Sequence, residues 1–164
     1  DAFAELVRRH QAVAVRVAAQ VGDVTMAEDV AQEAFVKAFV ALPRFDPGRP
    51  FRPWLLAIVA NEARTRLRAR RRGLTLCDRL GSSLSRPDGD PVGDAAIGVL
   101  EGARVSAVLK RLPERDRDLL VLRFVVGLGE RETAAALGCR TGTIKSRTSR
   151  ALAKLRVLLT EASG

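Results

Sequence analysis

Six arginines fall within eleven residues: Arg64, Arg66, Arg68, Arg70, Arg71 and Arg72 in the segment EARTRLRARRR (62–72). Guanidinium groups at this density suit phosphate contacts, and Asn or Arg can also read base edges. Just upstream stand Phe45, Phe51 and Trp54, around the Pro/Gly segment RFDPGRP (44–50). Aromatic rings beside a basic helix offer single-stranded nucleic acid what it needs, stacking surfaces together with backbone neutralisation. A second basic set, Arg140, Lys145, Arg147, Arg150, Lys154 and Arg156, runs with no acid before Glu161. Each set also has a plainer reading, a solvated run of charge for the cations and core packing for Phe51 and Trp54.

The charge is partitioned. Residues 1–61 balance at zero, 62–72 carry +5, 73–103 carry −3 and 104–164 carry +7, within a net charge of +9. A pI near 11.0 points to a polyanionic partner. Hydrophobic residues make up 47% of the 164, enough to build cores, and no apolar run approaches the roughly 20 residues of a membrane span. No signal or transit peptide is recognisable and there is no initiator Met, so the expectation is a soluble cytoplasmic protein, trimmed at its start, with no membrane insertion. Cys77, Cys139 and the single His10 cannot make a zinc site or a His-dependent triad, and neither a P-loop nor a dinucleotide fingerprint occurs. The reading is non-enzymatic, with no cofactor.

The elements that must hold these residues read as helices. Phe3, Leu6, Val7, His10, Val13, Ala14, Val17 and Val21 recur at three- and four-residue steps. Thr25 and Glu28 suggest a capping box ahead of a second helix that buries Val30, Ala31, Ala34, Phe35 and Ala38, turns Asp29, Gln32, Glu33 and Lys37 outward, and ends at Pro43. A third starts near Pro53 and carries Trp54, Leu55, Ile58, Val59 and Leu67 into the arginine-rich end. Residues 81–98 (GSSLSRPDGDPVGDAAIG) lack apolar periodicity and read as a linker. Beyond it, Val105, Val108, Leu109 and Leu112 form a stripe ended by Pro113, and Leu119, Leu120, Leu122 and Val126 form another ended near Gly127–Gly129. A short helix, Glu130 to Leu137, then a turn at Gly138-Cys139-Arg140 and a polar, basic helix to Leu158 make a helix-turn-helix, with Ala134, Leu137 and Ile144 between its two helices. The fold class expected is all-α, two small helical domains joined by a flexible linker: 1–73, linker 74–102, and 103–164.

AEDVAQEAFVKAF (27–39) followed by RPWLLAIVANEARTRLR (52–68) resembles the second domain of bacterial RNA polymerase sigma factors. LKRLPERDRDLLVLRF (109–124) with ETAAALGCRTGTIKSRTSRALAKLR (132–156) resembles their fourth domain. Nothing like the first or third sigma domain intervenes, an arrangement similar to the extracytoplasmic-function (ECF) group of the sigma-70 family.

The resemblance implies roles. Glu28, Asp29, Gln32, Glu33 and Phe35 fall in the helix that docks on the polymerase β′ clamp helices. Phe45, Asp46, Arg49 and Phe51 fall in or beside the loop that accepts an unstacked base of the −10 element, and Trp54, Asn61, Arg64 and Arg68 match the helix beneath the separated strand. Gly142 and Thr143 fit phosphate contacts, while Lys145, Ser146, Ser149 and Arg150 match positions facing the −35 major groove. Arg140-Thr141 and Thr148-Ser149 depart from the family pattern, which bears on the −35 sequence read. Implied partners are core RNA polymerase (β′ clamp helices and β flap), promoter DNA, duplex at −35 and single-stranded at −10, and an anti-sigma factor. Two alternatives stay open here, a helix-turn-helix repressor or activator without a sigma role, and an interaction protein that holds polymerase without reading DNA.

Overall fold

In a computed structural model, residues 2–79 and 98–163 are described, with side chains for 2–74 and 102–163. The linker expected over 81–98 lies outside the described residues except Gly98. Helix runs through both ends of the wider segment 74–102, however. The elements are α1 (Ala2–Val21), α2 (Ala27–Ala41), α3 (Phe51–Arg79), α4 (Gly98–Arg111), α5 (Glu114–Leu120), α6 (Glu130–Leu137) and α7 (Thr141–Glu161). Short 3-10 turns, Val24–Met26 and Leu42–Arg44, flank α2, and α5 continues into a π-helical segment, Val121–Val125. No strand occurs among the described residues.

Helices α1, α2 and α3 pack on one another in the first half, and α7 packs on α4, α5 and α6 in the second. Ala14, Val17, Ala18 and Val21 of α1 meet the Ala-rich face of α2 and Leu55, Leu56, Val59 and Ala63 of α3. Small residues allow close approach. A Cβ on Gly22 would lie 3.0 Å from the Ala18 carbonyl and 3.2 Å from the Ala63 methyl, so any larger residue would push α1 from α3. The start of α2 differs from expectation. Thr25 makes no capping box with Glu28: Asp23 caps the preceding 3-10 turn, its carboxylate accepting from the Thr25 N–H at 2.9 Å and the Thr25 hydroxyl at 2.7 Å, and α2 then begins at Ala27 behind Met26 with no side-chain cap.

Two of the six clustered arginines are structural braces. Glu62, nearly buried, accepts from Lys37 of α2 and from Arg66. Burial opposes its ionisation, but those two cations outweigh burial and hold its carboxyl below the ordinary range. Arg70 pairs with Asp23, tying α3 to the turn before α2.

The two halves share a core. Val121, Leu122, Val126 and Leu128 belong to the apolar cluster of α1–α3, whereas Leu109, Leu112, Leu119, Leu120, Ala134, Ile144 and Ala151 form the second half's own. Polar ties cross as well: the Arg52 guanidinium donates to the Val126 carbonyl at 3.1 Å, and the Ser106 hydroxyl to Gln20 at 3.0 Å.

Candidate nucleic-acid interfaces

Gly138 sits in the left-handed region at φ 64°, where a side chain would be strained, and this turn ends α6 and aims α7. Cys139 N–H closes the turn on the Ala134 carbonyl at 3.0 Å. Upstream, Glu132 reaches back to the Gly129 N–H at 2.8 Å and caps the start of α6. Ile144 and Ala151 face inward from α7 and are fully buried, with Ala134 against them and Leu137 half-buried at the edge. Burying that stripe turns Gly142, Thr143, Lys145, Ser146, Ser149 and Arg150 outward, all exposed. Arg150 Nε donates to the Ser146 carbonyl at 3.3 Å, so its guanidinium lies along the helix surface. Arg147 points elsewhere, half-buried and donating to the Arg115 carbonyl at 3.3 Å. Arg115, Asp116, Arg147, Arg150 and Lys154 line a basic hollow of about 290 Å³ beside this row. The row is a helix N-terminal surface of the kind that enters a major groove.

The second basic surface is built on α3. Seven residues bring a helix back to within about 20° of the same face. Trp54, Asn61 and Arg68 therefore form one stripe, with Arg64 beside it. The preceding loop is self-organised: the Asp46 carboxylate accepts from the Gly48 N–H at 2.9 Å and lies 3.6 Å from Arg49. Phe45, Phe51 and Trp54 pack together, with ring centroids 4.7 Å apart for Phe45–Trp54 and 5.5 Å for Phe51–Trp54. His10 stacks on this group, 5.6 Å from Phe51, and burial together with Arg52 and Arg9 lowers its pKa, favouring the neutral ring. The three rings are thus half-buried supports of the loop.

This stripe faces the second half of the chain. Trp54 lines a cavity of about 320 Å³ with Arg49, Pro50 and Pro53 on one side and Arg131, Glu132 and Ala135 of α6 on the other. The Asn61 amide oxygen accepts from Arg64 at 3.3 Å. Arg64 Nε donates to the Ala60 carbonyl and stands 3.3 Å from the Asp118 carboxylate. Arg68 donates to Glu114 at 2.5 Å.

On α2, Glu28, Asp29 and Gln32 are exposed and Glu33 half-exposed. Phe35, 6% exposed, belongs to the core and also lines a groove of about 360 Å³ between α1 and α2. The sequence reading passed over Val36, Phe39 and Val40, which are 58%, 58% and 72% exposed and extend the face of Gln32 and Glu33. The absence of charge at 38–42 was the available signal. No group of His, Cys, Asp and Glu among the described residues could hold a metal ion.

A helix-turn-helix on one half and a basic helix beside a cluster of aromatic rings on the other are the arrangement of a nucleic-acid-binding protein. The family model for sigma-70 region 2 matches residues 6–73 and that for sigma-70 region 4 matches residues 103–155. The chain is 37% identical over 166 residues to the RNA polymerase sigma factor CnrH of Cupriavidus metallidurans, covering 96% of this chain and 86% of that one. It is 36% identical over 138 residues to the ECF RNA polymerase sigma factor EcfG of Rhodopseudomonas palustris, covering 84% and 74%. Among solved structures, CnrH in complex with the cytosolic domain of CnrY superposes with a TM-score of 0.72 at 35% identity, covering 98% and 88%. The sigma factor RpoE in complex with the anti-sigma factor NepR from Bartonella quintana gives 0.74 at 26%, covering 96% of each. The chain belongs to the ECF group of the sigma-70 family, whose members act in promoter recognition and transcription initiation as regulatory factors. No described helix is long and apolar enough to cross a membrane.

Proposed function

We propose that this sigma factor reads a promoter with two faces at once. The N-terminal end of α7 enters the −35 major groove, with Lys145, Ser146, Ser149 and Arg150 at base edges and Gly142 and Thr143 at phosphates. The loop Phe45–Phe51 and the stripe Trp54, Asn61, Arg64 and Arg68 hold the −10 non-template strand once it is separated. Unstacking a base costs a few kcal/mol, offset by stacking and backbone contacts. The supporting observation is the outward row on α7: five polar or basic residues and Gly142 are exposed together because Ile144 and Ala151 are buried.

Core polymerase engages α2 through Asp29, Gln32 and Glu33, continued by Val36, Phe39 and Val40. A polar row flanked by exposed apolar side chains fits a protein partner, here the β′ clamp helices, better than it fits solvent. The β flap is the expected second contact, made by the C-terminal half. An anti-sigma factor is the expected inhibitor: the similar sigma factor RpoE is seen in complex with the anti-sigma factor NepR, and CnrH in complex with the cytosolic domain of CnrY.

Purified core polymerase, the chain and a promoter fragment test the reading. Specific transcripts should require the chain. Asp29→Ala with Gln32→Ala should weaken pull-down by core polymerase while circular dichroism stays unchanged. A chain that only lowers transcription would be a repressor, and one that binds polymerase without altering the start site would be a scaffold.

A further inference from the structure

The arginines assigned to the −10 strand are already occupied by carboxylates of the same chain. Glu114 binds Arg68 at 2.5 Å and stands 3.9 Å from Arg71, while Asp118 stands 3.3 Å from Arg64. These acids follow Pro113 in the run PERDRD, which places Glu114 and Asp118 four residues apart on one side of α5, matching Arg64 and Arg68, four apart on α3. Two carboxylates at one helical step repeat what two phosphates of a strand would present. The cavity at Trp54 is closed from the same direction by Arg131, Glu132 and Ala135.

The contact is built to hold and also to let go. Arg117 and Asp118 are buried, yet Arg117 Nε and Nη2 and both Asp118 carboxylate oxygens have no hydrogen-bond partner in the protein. Buried polar atoms left without hydrogen bonds are costly, so this seam is weaker than a satisfied one of the same area. Glu114 is the opposite case, held ionised by Arg68.

We propose that α5 is an internal stand-in for nucleic acid: its Glu114 and Asp118 occupy the Arg64/Arg68 face of α3 in the free chain, and that face takes either α5 or the strand, never both. The inference rests on reading α3 as a nucleic-acid surface. It assigns Glu114 and Asp118 the role of competitors that keep a separated strand off this face of the free factor, while the α7 row stays open.

The test uses the full chain and a fluorescein-labelled dT15 strand, with small-angle scattering for compactness and anisotropy for binding. Glu114→Gln with Asp118→Asn should expand the chain and tighten dT15 binding about tenfold or more, and adding Arg64→Ala with Arg68→Ala should remove the gain. Glu130→Gln with Glu161→Gln changes net charge equally and should do neither. Glu114→Gln alone, at an accessible position, should give a smaller gain of about threefold and keeps the test valid if the double variant does not fold by circular dichroism. A double variant as compact as the parent with unchanged affinity would overturn the inference. Expansion without tighter binding would overturn the reading of α3 itself, and the inference with it.

Discussion

The α3 stripe and the N-terminal row of α7 are both basic and both suited to DNA, but they present themselves differently. On α7 the candidate contacts are exposed, and their hydrogen bonds run along their own helix, Ser146 to Thr143 and Arg150 to Ser146. On α3 the charges are engaged, two by structural acids of the first half and three by the carboxylates of α5. Positive charge on a helix therefore says little until its partners are known. A duplex meets the open face directly, whereas a strand at α3 must first displace a bonded competitor.

Loosening the shared core should have the largest effect on this contrast. Leu122 is fully buried among residues of α1–α3, so Leu122→Ala should cost roughly 2–5 kcal/mol in urea denaturation. The same change should expand the free chain, while a −35 duplex binds as before. Loss of duplex binding would show that the α7 face depends on the closed arrangement.

Next in size is a pH dependence. Burial raises the Asp118 pKa from 3.8 to about 6 despite Arg64 and Arg117 nearby. A carboxyl whose folded value exceeds its unfolded one favours the native state while protonated, so its contribution is present at low pH and is lost as pH rises from about 4 through about 6. Glu62, Asp23 and Glu114 are shifted down and act oppositely, but only below their unfolded values. His10, whose pKa is lowered, adds stability as pH rises toward its ordinary 6.5 and so opposes Asp118 in the same range. The Asp118 contribution is therefore read as a difference: relative to Asp118→Asn, the parent should lose on the order of 2 kcal/mol between about pH 4.5 and 6.5. Thermal melts of both chains across this range decide it, and a parent that loses no stability relative to Asp118→Asn would refute the buried-acid account.

Arg150→Ala comes third, at about 1–3 kcal/mol, with relaxed preference at one −35 position in competition against point variants. Arg156→Ala should be smallest, a uniform loss or none, with the salt slope reduced by about one at most. If Arg156→Ala changed base preference and Arg150→Ala did not, the wrong side of α7 would have been assigned to the groove.

Much of this was legible in the sequence. Glu130 to Leu137 is the span of α6, because a glycine stands on either side and the apolar step is unbroken. The inward positions of α7 followed from Ile144 and its small neighbours. What escaped were relations across distance: Arg68 and Glu114 are 46 residues apart, and periodicity within either helix is silent about the other. A 3-10 turn hid the α2 start: Asp23 takes the Thr25 N–H and hydroxyl, which leaves α2 to begin two residues later at Ala27. The outward apolar side chains of α2 were missed for another reason, since hydrophobic residues read by default as core and Val40 is not.

The account stands or falls on two faces contacting two promoter elements in one complex. Footprinting of core polymerase carrying this chain, with permanganate for unpaired thymines, tests it most directly. The account predicts protection at −35 and reactive thymines at −10, with Asn61→Ala/Arg68→Ala reducing the reactivity while −35 protection persists. Full −10 reactivity in that variant, or protection and reactivity lost together, would contradict it.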